Sequence, residues 1–532
     1  MNRRQLLTSA AASVMLGGIG GAWDGAWAAT PADTLVIARI IDDAISFDPA
    51  DSYEDTSTEV LHNVYDTLMR YEAEDIANIA GAAAESWTFS PDNKKVTFKL
   101  RHGITFVSGN PVTAADVVYS FTRVVKADKT PAFILTQFGW TKDYIDGMLK
   151  AVADLTFEMT IAVDYAPSLV LNILTSVNTS IVDSKTVMAN EADGDFGLAY
   201  LKSKSAGSGP FALKTWKPNQ TILLEANPSY YLGAPAMKRV ILRHVPESAS
   251  QRLLLEKGDI DIACNLPTNQ IDALVGNPDI AISRHLTSRN LYLGLSQSVE
   301  PFTKPEVREA LKYLVDYKAM TESLLKGEFT ILQSFWPAGF MASLDENPYT
   351  YDVGKAKSLL AKAGYGDGFA FKLNVRNVSP AIDIAQAVQQ SMAAAGIKIE
   401  ILQTDQKQFI TAYRGRQFEA ALGTWEPDFP DPHANASTFA YNADNGPDAK
   451  TKTVAWRNSW KDGAVNALTD AAVREPDEAK RIELYKELQR KVMAEGPYIG
   501  MVQRTAQIAM RSNVKGYVVG PAIVYYRLVR KT

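Results

Sequence analysis

Lys95-Val96-Thr97-Phe98-Lys99-Leu100-Arg101-His102-Gly103-Ile104-Thr105-Phe106, followed by Gly109-Asn110-Pro111-Val112-Thr113-Ala114-Ala115-Asp116-Val117, is the stretch that decides the fold class. Over 95–100, polar and apolar residues alternate, the period-2 pattern of a strand with one buried face. Gly109-Asn110-Pro111 is turn chemistry, because proline has a fixed φ and no amide hydrogen to donate. Thr113 stands three residues before Asp116, so the two side chains can close a capping box at a helix start. Val117, Val118, Phe121 and Val124 then recur at helical spacing. A strand, a turn and a capped helix in immediate succession predict an α/β protein.

The same alternation extends both ways. Upstream, 34–38 (TLVIA) reads as a strand, and 57–71 places Val60, Leu61, Val64 and Leu68 on one helical face. Downstream, 222–225 and 239–244 read as strands, Gly258 ends a short helix, and 259–262 alternates as a further strand. Beyond Ser288 the pattern becomes a separate α/β unit. A helix opens at Thr303-Lys304-Pro305-Glu306, a second is capped by Asp352 and stopped by Gly364, and a third runs over 384–395 to Gly396. A strand follows over 397–402, then a helix capped by Asp405. Pro476-Asp477 opens the last long helix, which stacks Ile482, Tyr485 and Val492 before Gly496-Pro497.

The chain has 532 residues, 46% hydrophobic and 22% charged, enough for a sizeable core and more than one domain. Its net charge of −5 argues against nucleic acid as a partner, since phosphate binding needs clustered Lys and Arg. The first 28 residues read as a secretory leader, with basic Arg3-Arg4, a short apolar stretch broken by glycines, and Ala26-Trp27-Ala28 as the cleavage site. Arg3-Arg4-Gln5-Leu6-Leu7 matches a twin-arginine signal, the alternative being an ordinary leader with two arginines. Loss of Arg3, Arg4 and Asp24 with the leader would take the charge from −5 to −6. Cys264 is the single cysteine, so no intramolecular disulfide can form and no cysteine follows the leader to carry a lipid. An exported, unanchored monomer, diffusing in a periplasm, is expected.

Several short motifs then add up. Glu85-Ser86-Trp87-Thr88-Phe89-Ser90-Pro91-Asp92, the 98–106 and 109–117 runs and Gly207-Ser208-Gly209-Pro210-Phe211 stand in order. Asn227-Pro228-Ser229-Tyr230-Tyr231, Lys257-Gly258-Asp259-Ile260-Asp261, Val307-Arg308-Glu309-Ala310-Leu311, Ala356-Lys357-Ser358-Leu359-Leu360-Ala361 and Trp425-Glu426-Pro427-Asp428 continue the series. Together they resemble the signature of the family 5 extracellular solute-binding proteins, the periplasmic receptors of peptide, nickel and opine ABC importers. The resemblance implies a two-lobed periplasmic-binding-protein clamshell. After a leader at 1–28, lobe one would comprise 29–62, 200–287 and 503–532, with an extra subdomain at 63–199 inserted in it. Lobe two would run in one piece over 288–502. The chain would cross between lobes near Arg289-Asn290-Leu291 and near Met501-Val502-Gln503, an arrangement suited to hinge closure.

The densest polar segment is Trp425-Glu426-Pro427-Asp428-Phe429-Pro430-Asp431-Pro432-His433. Its prolines stiffen a loop carrying three carboxylates and a histidine. Composition alone favours an acidic surface loop. The resemblance implies that Asp428 receives a ligand ammonium and that residues around Trp425 offer backbone groups, leaving Glu426, Asp431 and His433 undecided. Arg376 and Arg414 are candidates for a ligand carboxylate, which a guanidinium can bind at two points. Tyr53, in the loop Asp51-Ser52-Tyr53-Glu54-Asp55, and Asn265 are further ligand-binding candidates, and Cys264 reads as a buried apolar filler. Asp431 with His433 is a weak metal set, and no cofactor or metal is expected. The function implied is a receptor, not an enzyme, that binds a di- or oligopeptide and delivers it to an inner-membrane ABC permease. An opine, a nickel chelate or an oligosaccharide is the alternative ligand; a hydrolase using Asp428 and Asp431 is the rival class, although two acids on one rigid loop straddle a substrate poorly.

Overall fold

The strand at 95–100 forms as Lys95–Leu100, and the capped helix forms as Ala114–Ala127. Asp116 accepts from the Thr113 amide at 2.9 Å and from its hydroxyl at 2.6 Å, the reciprocal half of the capping box. In this computed structural model, residues 30–72, 75–520 and 524–532 are described; the expected leader, its cleavage site and its arginine pair lie outside them. Lys95–Leu100 sits in a four-stranded antiparallel sheet, in the order Ala84–Phe89, Lys95–Leu100, Thr156–Thr160, Leu149–Ala153. Phe121 from the helix meets Phe157 edge-on at 5.7 Å, and Trp140 closes the same core.

A second, eleven-stranded sheet organises the rest. From one edge it runs Lys398–Thr404, Ala370–Arg376, Ala420–Trp425 and Ile280–Leu295. It continues from Tyr498–Arg511 through Ile262–Ala263, Thr34–Arg39, Arg239–His244 and Thr221–Ala226 to Phe211–Lys217, with Phe329–Ile331 pairing to the side of Tyr498–Arg511. Its two longest strands, Ile280–Leu295 and Tyr498–Arg511, pair antiparallel, and their register breaks between Leu286 and Asn290. Each end of the sheet carries its own core. Leu35, Ile37, Phe211, Leu224 and Val240 lie in one, and Leu293, Leu311, Leu360, Leu373 and Val388 in another. These two cores mark two lobes, and a larger third core packs Phe98, Phe121 and Leu169 of the four-stranded-sheet region in one cluster with Trp336, Phe439 and Tyr485.

Asp352, Asp405 and Asp477 cap their helices as expected, each accepting from an amide three residues on. Two elements differ from the sequence reading. The helix expected over 57–71 is Asp55–Val64, and Met69–Glu72 is a strand. Tertiary partners claim the link between them: Asp66 is buried and accepts from Ser208 and Tyr230, while the Thr67 and Leu68 carbonyls accept from Ala82, Ala83 and Ala84 amides. The strand expected over 259–262 is reduced to Ile262–Ala263. Here the buried Asp261 carboxylate binds the Val36 amide at 2.7 Å and Lys531 at 2.8 Å, which replaces a regular ladder. Cys264 is only half-buried, its sulfur 3.9 Å from the Tyr517 hydroxyl, and burial pushes its thiol pKa up to about 11.

Candidate functional site

The carboxyl ends of parallel strands open onto a cleft of about 680 Å³, the usual place for ligands in an α/β sheet. Arg376 is the last residue of Ala370–Arg376, and Trp425 the last of Ala420–Trp425. Helix Gln406–Arg414 adds Arg414 at its exposed end. From the other lobe come Tyr53 and, on helix Asp55–Val64, Asp55 and Glu59. The two long strands contribute Arg289 and Arg504 where their register breaks.

The proline loop after Trp425 is fixed from below. Asp431, fully buried, accepts from the His433 amide to cap helix Pro432–Phe439, and Arg481 grips both its oxygens at 2.8 and 2.7 Å. Asn172 adds a third donor at 3.1 Å. His433 is buried beside the Tyr485 hydroxyl at 3.1 Å, and burial drops its pKa to about 4. Both side chains are therefore engaged away from the cleft, which removes the Asp431–His433 metal reading and the Asp428–Asp431 catalytic pair. Asp431 instead sets where Asp428 stands.

Asp428 and Glu426 have different surroundings. Glu426 pairs with Arg289, which also reaches Asp55 at 3.2 Å. Asp428 accepts a hydrogen bond from the Tyr53 hydroxyl, and no cation pairs with it among the described residues. Burial raises the pKa of both carboxyls, the Tyr53 bond offsetting part of the rise at Asp428 and the Arg289 charge part of it at Glu426. The Tyr53 phenol is itself pushed well up, by loss of water around its hydroxyl although the residue is partly exposed, and then by the Asp428 charge. Its ring meets Phe133 edge-on at 5.7 Å. Glu54 turns away, accepting from the Tyr53 amide.

Of the sequence candidates, the fold brings Tyr53, Arg376, Arg414, Trp425, Glu426 and Asp428 to this one cleft. Asn265 is not among them. It lines a side cavity of about 390 Å³ that shares Arg289, Arg376 and Arg504 with the cleft, and its side-chain oxygen accepts from the Ile40 amide at 3.0 Å. Sequence reasoning did not single out Arg289, Arg457 or Arg504 as site residues. Only the proximity of 289 and 504 to the expected crossings hinted at them.

The profile of bacterial extracellular solute-binding proteins, family 5 (middle), matches residues 78–447. The chain is 30% identical over 505 residues to the probable D,D-dipeptide-binding periplasmic protein DdpA of Escherichia coli (strain K12), covering 94% of each chain. Among solved structures, HbpA2 from Haemophilus parasuis superposes with a TM-score of 0.80 at 23% identity, covering 94% of this chain and 100% of that one. The periplasmic binding protein DppA from Helicobacter pylori, solved with the peptide STSA, superposes with a TM-score of 0.74 at 25% identity, covering 94% and 98%. Both matches support the two-lobed periplasmic-binding-protein architecture.

Proposed function

Because the chain belongs to the family 5 bacterial extracellular solute-binding proteins, we propose that it is a periplasmic receptor that captures a di- or oligopeptide and hands it to an inner-membrane ABC permease. The observation that carries the peptide reading is Asp428, a half-buried carboxylate with only a neutral phenol as partner. A charge in that position calls for a cation, and a ligand ammonium supplies one. Relatives named for D,D-dipeptide binding and solved with a peptide favour this ligand over an opine, a nickel chelate or an oligosaccharide.

In this reading no bond is broken. Lobe one (29–62, 200–287, 503–532, with the subdomain 63–199) and lobe two (288–502) close about the register break beside Arg289 and Arg504. A ligand drives closure only by binding the closed form more tightly, which a group held by both Tyr53 and Asp428 achieves. The working protein is an unlipidated monomer exported by the twin-arginine route. Native mass spectrometry of the protein purified from the periplasm tests the ligand. A retained mass that fragments as a short peptide with a free amine is expected; a retained sugar or metal chelate overturns the peptide reading.

A further inference from the structure

The chain as a whole is acidic, at −5, yet its cleft is not. Six guanidiniums line it (Arg39, Arg289, Arg376, Arg414, Arg457 and Arg504) against four carboxylates, Asp55, Glu59, Glu426 and Asp428. Arg39 is paired with Glu59, and Arg289 with Glu426 and Asp55. The other four arginines make no ion pair among the described residues. Arg376 has only a long contact to Gln406, at 3.4 Å. Arg457 lies over the Tyr413 ring. The Nε of Arg376, the Nε of Arg457 and the indole N–H of Trp425 are all buried without an acceptor, and all three residues face this cleft. Glu328, in the side cavity beside Arg376 and Arg504, is engaged by the Thr268 amide and hydroxyl.

Buried donors without acceptors and guanidiniums without counter-ions are costly unless a ligand completes them. Arg414 stands in water, but the one carboxylate of a neutral peptide is still too few for Arg376, Arg457 and Arg504. We infer that the solute is an acidic peptide, with one amine for Asp428 and several carboxylates for the arginines, so that a net charge near −2 matches the cleft's excess of two positive charges. This rests on the peptide-receptor reading above. The excess charge also steers anionic solutes into the cleft, where low-dielectric walls focus the field. Arg376 and Arg504 border both cavities beside Arg289, whose charge lowers the pKa of each after burial does. The pair therefore forms the station where an acidic side chain gains most.

Isothermal titration of ligand-stripped protein with Ala-Glu-Glu, Ala-Ala-Ala and Ala-Lys-Lys tests this. Ala-Glu-Glu should bind at least tenfold more tightly than Ala-Ala-Ala, Ala-Lys-Lys should bind weakest, and added salt should shrink the preference. The double variant Arg376→Gln/Arg504→Gln should bring the Ala-Glu-Glu to Ala-Ala-Ala ratio towards one. Equal or tighter binding of Ala-Ala-Ala to the wild type overturns the acidic preference while leaving the peptide receptor standing. No binding of any of the three overturns both.

Discussion

At the scale of single residues, Asp428 shows a site held at a cost to the fold. Burial raises its carboxyl pKa in the folded protein. Its contribution to stability is then fully present below the unfolded carboxylate pKa and is lost as pH rises through the raised folded value. At neutral pH the charged carboxylate in this position carries the penalty, and a ligand ammonium removes it. Asp428→Asn keeps an acceptor for the Tyr53 hydroxyl and removes the charge. Its unliganded melting temperature at pH 7 should equal or exceed that of the wild type, and the difference should vanish in acid. Affinity for an amine ligand should fall roughly thirtyfold or more, since truncating a buried charged pair costs about 2–5 kcal/mol. Calorimetry and titration read both. Normal binding by the variant would remove Asp428 from the amine contact.

At the scale of elements, the proline loop works because helix Glu478–Glu495 holds it. Arg481 on that helix and Asp431 at the start of Pro432–Phe439 are each about 1% exposed or less, and their bidentate pair is supplemented by Asn172. Asp431→Ala leaves a buried guanidinium alone and should cost about 3–5 kcal/mol in urea unfolding; a loss below about 1 kcal/mol, the range of an exposed pair, would show that the loop is anchored elsewhere. The sequence made the helix caps legible, because Thr113, Asp352, Asp405 and Asp477 act on amides within their own first turn. It made the loop legible through its prolines. It could not show that Asp431 points inward, since its partner lies 50 residues away. The same limit shortened the strand at Asp261 and the helix after Val64, where distant partners outweigh local pattern. Arg289 and Arg504 meet only through strand pairing, and nothing in the residues around either marks a cleft.

At the scale of the whole molecule, side-chain contacts cross between the lobes at the cleft. Tyr53, after the first strand, donates to Asp428 after Trp425, and Asp55 reaches Arg289 beside the register break. They are not the only ties between these segments, since Asn172 reaches Asp431 and Thr268 reaches Glu328, and the two at the cleft are unequal. Asp55 is 67% exposed in its side chain, and such a pair is worth about 0–1 kcal/mol. A hydrogen bond to a charged carboxylate contributes about 1.5–3 kcal/mol, the lower end applying to Tyr53 because 43% of the residue is exposed. Removing about 1.5 kcal/mol shifts a two-state equilibrium by roughly tenfold, enough to change the average shape if neither state dominates. Tyr53→Phe retains the ring against Phe133 and deletes only this bond, so its effect on folding should be small. The unliganded variant should scatter X-rays as a more extended particle than the unliganded wild type. Saturating ligand should bring both to one radius of gyration, because the closed form is then held by the ligand's own contacts. Identical unliganded profiles would show that the Tyr53 bond forms without biasing closure, and an identical wild-type profile with and without ligand would remove the hinge itself.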